Sequence, residues 1–289
     1  MSPATRSRPG ARQRLDQLVV ERGLADSRAR AQALILAGKV RTGDGDSARF
    51  DRKAGDLVDA AAAISLIEAD PYVSRGGHKL AAALDRFGID PADLVCLDAG
   101  ASTGGFTDVL LQRGAARVHA VDVGRGQLAD RIARDPRVAI HDRTNARSLT
   151  SEALGEPIDL AVIDVSFISL ALVLGPIAST LRTRPSAPIV ALVKPQFEVG
   201  KGGTDHGVVR DPEAHRAVLA RVTEAASGLG LGTRALMPSP ILGPEGNREF
   251  LVQFQAGPSC AEIGERIAEA VGETSDRTPG GTSEGMAGR

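Results

Sequence analysis

"LDAGASTGGFTDVLL", residues 97–111, decides the fold: an apolar run closes on an acid, a glycine-rich turn follows, and a helix opens behind it. A strand, a glycine loop and a helix in that succession bring backbone N–H groups and a helix N-terminus against a ligand. The spacing is Gly100-x-x-x-Gly104-Gly105, not the G-x-G-x-x-G that clasps a dinucleotide pyrophosphate. A P-loop is excluded too, because no Lys-Ser/Thr follows. A second acid, Asp122, closes the next apolar run 24 positions after Asp98, where a carboxylate can accept hydrogen bonds from ribose hydroxyls.

A loop fit for a nucleoside but not for phosphates points to S-adenosylmethionine. The expected contacts are the loop residues Gly100, Ala101, Ser102, Thr103, Gly104, Gly105, Phe106 and Thr107. Asp98 would lie near the amino-acid end of the cofactor, Asp122 at the ribose, and Asp142 or Asn145 near the adenine, with Val123 among the cofactor contacts.

The pattern around the loop is that of an α/β domain. Leu94–Asp98, Val118–Asp122, Val138–His141, Ile158–Asp164 and Ile189–Lys194 are short apolar runs separated by helix-length segments. Such alternation predicts a parallel sheet covered on both faces. Lys79–Phe87 reads as a helix, and Asp211-Pro212 as the cap and first turn of another running to about Ser227. Two last strands, about 231–237 and 248–255, finish the sheet, with one short helix possible after Pro258.

Upstream the pattern differs. Leu15, Leu18 and Val19 share a helix face that stops at Gly23, and Ser27 caps a second helix with Ala31, Leu34 and Ile35 on one face. Asp70-Pro71 punctuates the chain. The expected division is a flexible basic arm over 1–13, a small α+β domain over 14–68, a linker over 69–73, the α/β domain over 74–258, and a disordered Gly/Ser/Thr-rich tail over 259–289.

Four charged residues stand where burial or strand ends make them unusual. Asp164 and Lys194 close two strands expected to be neighbours, at the edge where open parallel sheets bind ligands. Lys79 begins the first helix after the linker, and Glu249 enters the final strand. Two amines and two acids suit deprotonation of a sugar hydroxyl. A free lysine ionises near 10.4 and is a poor base at neutral pH. Burial beside another ammonium lowers such a value, while carboxylates limit the shift and aim the side chains. Asp164 would also face the cofactor.

Composition narrows the classes. With 289 residues, 3% aromatic, no Trp and two cysteines, the chain offers no disulfide framework and no multi-cysteine zinc site. No metal site is expected; His78, His119 and His206 read as non-catalytic. No apolar run reaches a membrane span, and the Arg/Pro-rich start has no apolar core of a signal peptide, so a cytoplasmic place is expected. Net charge is −1, yet residues 1–55 hold twelve Lys/Arg against six Asp/Glu, which suggests a polyanionic partner met by that end.

Lys79, Asp164, Lys194 and Glu249 match the order and context of the K-D-K-E tetrad of FtsJ-like ribose 2′-O-methyltransferases. More closely, "SRGGHKL", "DAGASTGGFTD", "VIDVSFISL", "LVKPQFEVGKG" and "GPEGNREF" resemble the TlyA family, known both as haemolysins and as ribosomal RNA methyltransferases. "RLDQLVVERGLADSRARAQALILAGKV" is similar to the S4 RNA-binding fold that opens that family. The resemblance spans about residues 14–255. It implies a Rossmann-like class I methyltransferase with a mostly parallel seven-stranded sheet, preceded by an S4-like domain. It also implies a cytidine 2′-hydroxyl of 16S and/or 23S ribosomal RNA within ribosomal subunits as substrate. Arg14, Arg28, Arg30 and Lys39 would hold phosphates, positioning the enzyme without reading sequence. Scarce aromatics fit recognition by shape more than by base stacking. Two features depart from the family: Tyr72 replaces a tryptophan found in some members, and the N-terminal arm is long. The alternatives are a membrane-lytic protein, for which no basic amphipathic helix with aromatic anchors is visible, and an S4-bearing RNA-binding module without catalysis.

Overall fold

The computed structural model describes residues 12–43, 49, 51–66, 70–183, 187–200 and 204–272. Expectations for residues 1–11 and 273–289 lie outside the described residues. The chain divides into two compact units, Met1–Pro71 and Tyr72–Arg289.

In the first unit, strand β1 (Arg12–Arg14) leads directly into helix α1 (Leu15–Glu21), followed by α2 (Arg28–Leu36), β2 (Val40–Thr42), β3 (Leu57–Asp59) and β4 (Ile64–Leu66). Arg12 and Gln13, expected in a flexible arm, instead pair antiparallel with β3. β2 pairs antiparallel with β4. Ser27 caps α2 through its hydroxyl, which accepts from Arg30 N. Leu15, Leu18, Val19, Ala31, Ile35, Val40 and Val58 fill the core. The helix spacing of those residues and the alternation on the strands are the reason the two helices and small sheets face each other.

The second unit begins with α3 (Gly76–Phe87), then β5 (Val95–Ala99), α4 (Gly105–Gln112), β6 (Arg117–Val121), α5 (Asp130–Ala133), β7 (Val138–His141), α6 (Ser151–Leu154), β8 (Leu160–Ile163), α7 (Ala171–Thr180), β9 (Ile189–Val193), α8 (Pro195–Glu198), α9 (Pro212–Gly228), β10 (Leu231–Pro238), β11 (Phe250–Ala256) and α10 (Ile263–Val271). Its sheet has seven strands in the order β10-β11-β9-β8-β5-β6-β7. β5 through β9 are parallel, and β11 pairs antiparallel with both β9 and β10.

Alternating residues feed two cores. Leu97, Ala99, Ile163, Ala191 and Val193 pack with α7, α9 and α10 on one face. Cys96, Val118, Leu160, Val162 and Leu192 pack with α3 and α4 on the other. Strands buried on both sides are mostly apolar, so the buried Asp98 of β5 and His119 of β6 stand out. Asp211 caps α9, accepting from Glu213 N, with Pro212 at the first helical position.

The tail expected to be disordered from residue 259 is corrected over Ile263–Val271. There Ile267, Ala270 and Val271 repeat on one helix face and are buried in the α7–α9 core. Arg248 anchors the end of this helix, donating to the carbonyls of Ala270 and Val271 at 2.9 and 2.8 Å. This nine-residue segment is the short helix that the sequence allowed after Pro258.

Candidate active site

The site lies where β5, β8 and β9 end. Gly100 leaves β5 with φ +90°, and a Cβ there would stand 2.5 Å from the carbonyl oxygen of Asp164. Only glycine allows both the left-handed turn and that approach. The N–H groups of Gly100 and Ala101 both donate to Val121 O, at 2.9 and 3.1 Å, which folds the loop over β6. A Cβ on Gly105 would meet Ser74 Oγ at 2.2 Å, so the start of α4 packs directly on the segment leading into α3.

Two cavities of about 460 and 380 Å³ adjoin this loop and share Gly100, Ser102 and Asp164. The first includes Asp122, Val123, Asn145, Gln127 and Arg147. Asp122 Oδ2 accepts from Ser102 N at 2.9 Å and Oδ1 from Gly124 N at 2.7 Å. Each carboxylate oxygen keeps a further lone pair for a hydroxyl donor. Asn145 is on the wall too, its side-chain oxygen capping Arg147 N at 3.0 Å. The second cavity is lined by Ala101, Thr103, Gly105 and Phe106 and by all four charged residues, Lys79, Asp164, Lys194 and Glu249.

Those four form two ion pairs. Lys79 Nζ donates to Glu249 Oε2 at 2.5 Å, with both side chains nearly enclosed. Lys194 Nζ lies 2.6 Å from Asp164 Oδ1 and donates to Ser166 Oγ at 2.8 Å. The four come from α3, the ends of β8 and β9, and the entry to β11. The antiparallel β11 supplies Glu249 at its N-terminal end because it runs against its neighbours. Lys194 stands one residue past the buried run of β9, at the rim of the sheet.

Not every expected cofactor contact reaches these cavities. Asp98, Gly104, Thr107 and Asp142 line neither of them. Thr107 is buried and donates to Asp98 Oδ2 from both N (2.9 Å) and Oγ1 (2.6 Å). Gly104, with φ +93°, turns the chain into α4. Asp142 Oδ2 accepts from Gly126 N at 3.0 Å and shapes the loop after β6. Asp98 is fully buried, and its Oδ1 has no hydrogen-bond partner among the described residues. Burial, with Asp164 and Asp122 nearby, pushes its carboxyl up to about 7 against the opposing bonds from Thr107.

The sequence reading missed an aromatic pair. Phe167 is 89% exposed with φ +62°, and its ring centroid is 4.7 Å from that of Phe197. Both line a third cavity of about 440 Å³ that also contains Lys194, Glu245 and Asn247. The signal was available: in an aromatic-poor chain, "SF" and "QF" each follow a charged strand end within three residues.

The S4-type residues are placed as follows. Arg30 and Lys39 are exposed without a side-chain partner among the described residues. Arg14 and Arg28 are tied to Asp16, which is fully buried and accepts from Arg14 at 3.0 Å, Arg28 at 2.9 Å and Gln32 at 2.9 Å. Hydrogen bonds from Arg14, then from Gln32 and Arg28, hold the Asp16 carboxyl well below the usual carboxylate range despite its burial.

Comparison with known proteins agrees with this geometry. The FtsJ-like methyltransferase model matches residues 72–256, and the S4 domain model matches residues 13–42. The chain is 46% identical over 262 residues to the 16S/23S rRNA (cytidine-2′-O)-methyltransferase TlyA of Mycobacterium tuberculosis, covering 90% of this chain and 96% of the relative. It is 37% identical to Hemolysin A of Brachyspira hyodysenteriae, covering 83% of this chain and 99% of that one. A solved structure of a haemolysin-named protein from Streptococcus thermophilus superposes with a TM-score of 0.68 at 39% identity, covering 91% of this chain and 96% of the other. Fold and site therefore define an FtsJ-like methyltransferase, an enzyme class that uses S-adenosylmethionine, carrying an S4 domain ahead of it. Within that class, the chain belongs to the TlyA family.

The cavity beside Gly100 fits that cofactor: a carboxylate for ribose hydroxyls on the wall, a cradle that a Cβ would fill, and an unpartnered buried carboxylate oxygen beneath. Among the described residues, no cluster of His, Cys, Asp and Glu could hold a metal ion, and no helix is long and apolar enough to cross a membrane.

Proposed function

We propose that this protein methylates the 2′-hydroxyl of a cytidine ribose in ribosomal RNA. The observation that carries the proposal is the meeting of two lysine–carboxylate pairs in one cavity that shares its wall with the glycine loop. The name of the Mycobacterium tuberculosis relative supports the substrate class.

When bound, adenosylmethionine supplies an electrophilic methyl group on its sulfonium. Gly100, Ala101, Ser102, Thr103, Asp122, Val123 and Asn145 would hold it, with Asp98 below the loop. Lys194 is the base once its ammonium has released a proton to solvent: the neutral amine takes the proton of the ribose hydroxyl as the oxygen attacks the methyl group, and the ammonium so re-formed rests against Asp164. Lys79, fixed by Glu249, holds the same hydroxyl oxygen in place. Orientation contributes most of the rate, because methyl transfer demands a close, collinear approach. The exposed Phe167, with the half-buried Phe197 against it beside Lys194, gives a platform for an extruded base, so stacking joins shape in recognition. Arg75 and Arg147, exposed on the cavity walls, and Arg14, Arg28, Arg30 and Lys39 in the first unit face phosphates.

The test is methyl transfer by the purified full chain to ribosomal subunits and to rRNA, with 2′-O-methyl positions mapped by mass. Lys194→Ala is expected to bind adenosylmethionine normally and to lose transfer. Full transfer by that variant would remove Lys194 from the mechanism. Transfer to no ribosomal RNA by the unaltered protein would remove the substrate assignment.

A further inference from the structure

Glu198 sits in the single turn α8 that follows Lys194, but its carboxylate bonds outside that turn. Oε2 accepts from Ser169 Oγ at 2.7 Å, and Oε1 accepts from Leu170 N at 2.8 Å. Both donors stand at the start of α7, where the loop that leaves β8 with Asp164, Ser166 and Phe167 comes to its end. The backbone carbonyl of Glu198 is itself held by Arg221 of α9 at 2.8 Å. At its other end the loop is pinned by Asp164 N, which donates to Ala99 O at 2.9 Å.

Between these two anchors Phe167 holds φ +62°, a left-handed conformation that a bulky residue keeps only where its surroundings over-determine it. A carboxylate is the right clamp for this place. It accepts two bonds at once, and its charge is favoured at the N-terminus of the ten-residue α7.

We propose that Glu198 is a positioning residue for methyl transfer: it ties the end of β9 to the loop after β8, and so keeps Lys194 on Asp164 and Phe167 on Phe197. The inference rests on the roles given above to Lys194 and Asp164. Glu198 touches no reacting atom. Its effect runs through the separation of the groups it fixes, and a displacement of about 1 Å at a reacting group can cost about a hundredfold in rate.

The experiment compares the full chain with Glu198→Ala, Glu198→Gln and Lys194→Ala. It measures kcat and KM on an rRNA substrate, adenosylmethionine affinity by calorimetry, and Tm. Glu198→Ala is expected to lower kcat about 10- to 100-fold while adenosylmethionine affinity stays within about threefold. Glu198→Gln should recover most of the rate. Its amide oxygen still accepts from Leu170 N, and its NH₂ can donate to Ser169 Oγ, a hydroxyl that turns to suit. The proposal is overturned if kcat of Glu198→Ala stays within about twofold of the parent, or if its loss follows the loss of cofactor binding or of folded protein. It is also overturned if the Gln variant is as impaired as the Ala variant. Undiminished transfer by Lys194→Ala would instead sink the assignment of the base, a separate outcome.

Discussion

Asp98→Asn isolates the cost of keeping a carboxylate under the glycine loop. Asp98 is fully buried, one of its oxygens lacks a partner, and its carboxyl is pushed up to about 7, chiefly by burial. In the unfolded chain the same group ionises near 3.9. Between those values the unfolded chain has released a proton that the native state keeps, so the native state binds more protons and stability falls as pH rises. The fall begins near pH 4 and ends near pH 7; its full size is on the order of 4 kcal/mol, from about three units at 1.36 kcal/mol each. Asn has no such proton. Its amide oxygen can keep the bonds from Thr107, while its NH₂ takes the place of the unpartnered oxygen at a cost of about 1–3 kcal/mol. The variant should thus be less stable than the parent near pH 4 and more stable near pH 8, by about 1–3 kcal/mol in each case. Urea denaturation from pH 4.5 to 8 without cofactor measures the difference, and the histidines, common to both proteins, cancel in it. A difference curve flat across that range would refute the burial of an ionisable, unpartnered Asp98.

Other predictions follow from the same structure. If Asp98 meets the ammonium of adenosylmethionine, binding at pH 5.5 releases a proton, seen in calorimetry as a heat that depends on the buffer's ionisation enthalpy; identical heats in all buffers would remove Asp98 from the cofactor site. Phe167→Ala should raise KM for RNA about 5- to 150-fold, as expected for losing about 1–3 kcal/mol of base stacking, and leave adenosylmethionine affinity unchanged. If Arg30 holds a phosphate, Arg30→Ala should lower the steepness of the salt dependence of RNA binding by about one unit. Leu174→Ala empties a fully buried position in the α7–α9 core and should cost about 2–5 kcal/mol in urea unfolding, with kcat of the folded protein retained.

The sheet was legible because its parallel strands are short, largely apolar runs that close at or beside a charged residue. "VCLDA", "VHAVD", "LAVID" and "VALVK" announce both a two-sided burial and the rim where it stops. The glycine loop was legible for a similar reason: Gly100 is required by a close approach, not by chance of composition. The division of labour within the loop was not. Thr107 and Asp98 lie in the same motif as Ser102, yet they point beneath the loop and bond to each other, because residues alternate sides along β5 and α4 turns away. The helix Ile263–Val271 was legible only as one possible short helix after Pro258, inside a tail read as disordered, because its five apolar residues stand in polar sequence.

What escaped most completely is held together by contacts between different elements. Glu198 finds Ser169 and Leu170 only because β8 and β9 are neighbours, a fact set by strand order and not by spacing in the chain. Phe167 takes φ +62° against its own preference, and no local rule would assign it that conformation. Asp16 reverses the usual meaning of two basic residues, binding Arg14 and Arg28 on one side while leaving their guanidinium groups partly open on the other. For Glu198 the deciding partner lies 28 or 29 residues away, and for Asp16 the near contact with Arg14 is joined by Arg28 and Gln32 from the next helix. Local pattern specifies the sheet and the rim, and the precision of the rim comes from bonds such as these; substitutions at Glu198 or Asp16 should therefore disturb function at sites that neither residue touches.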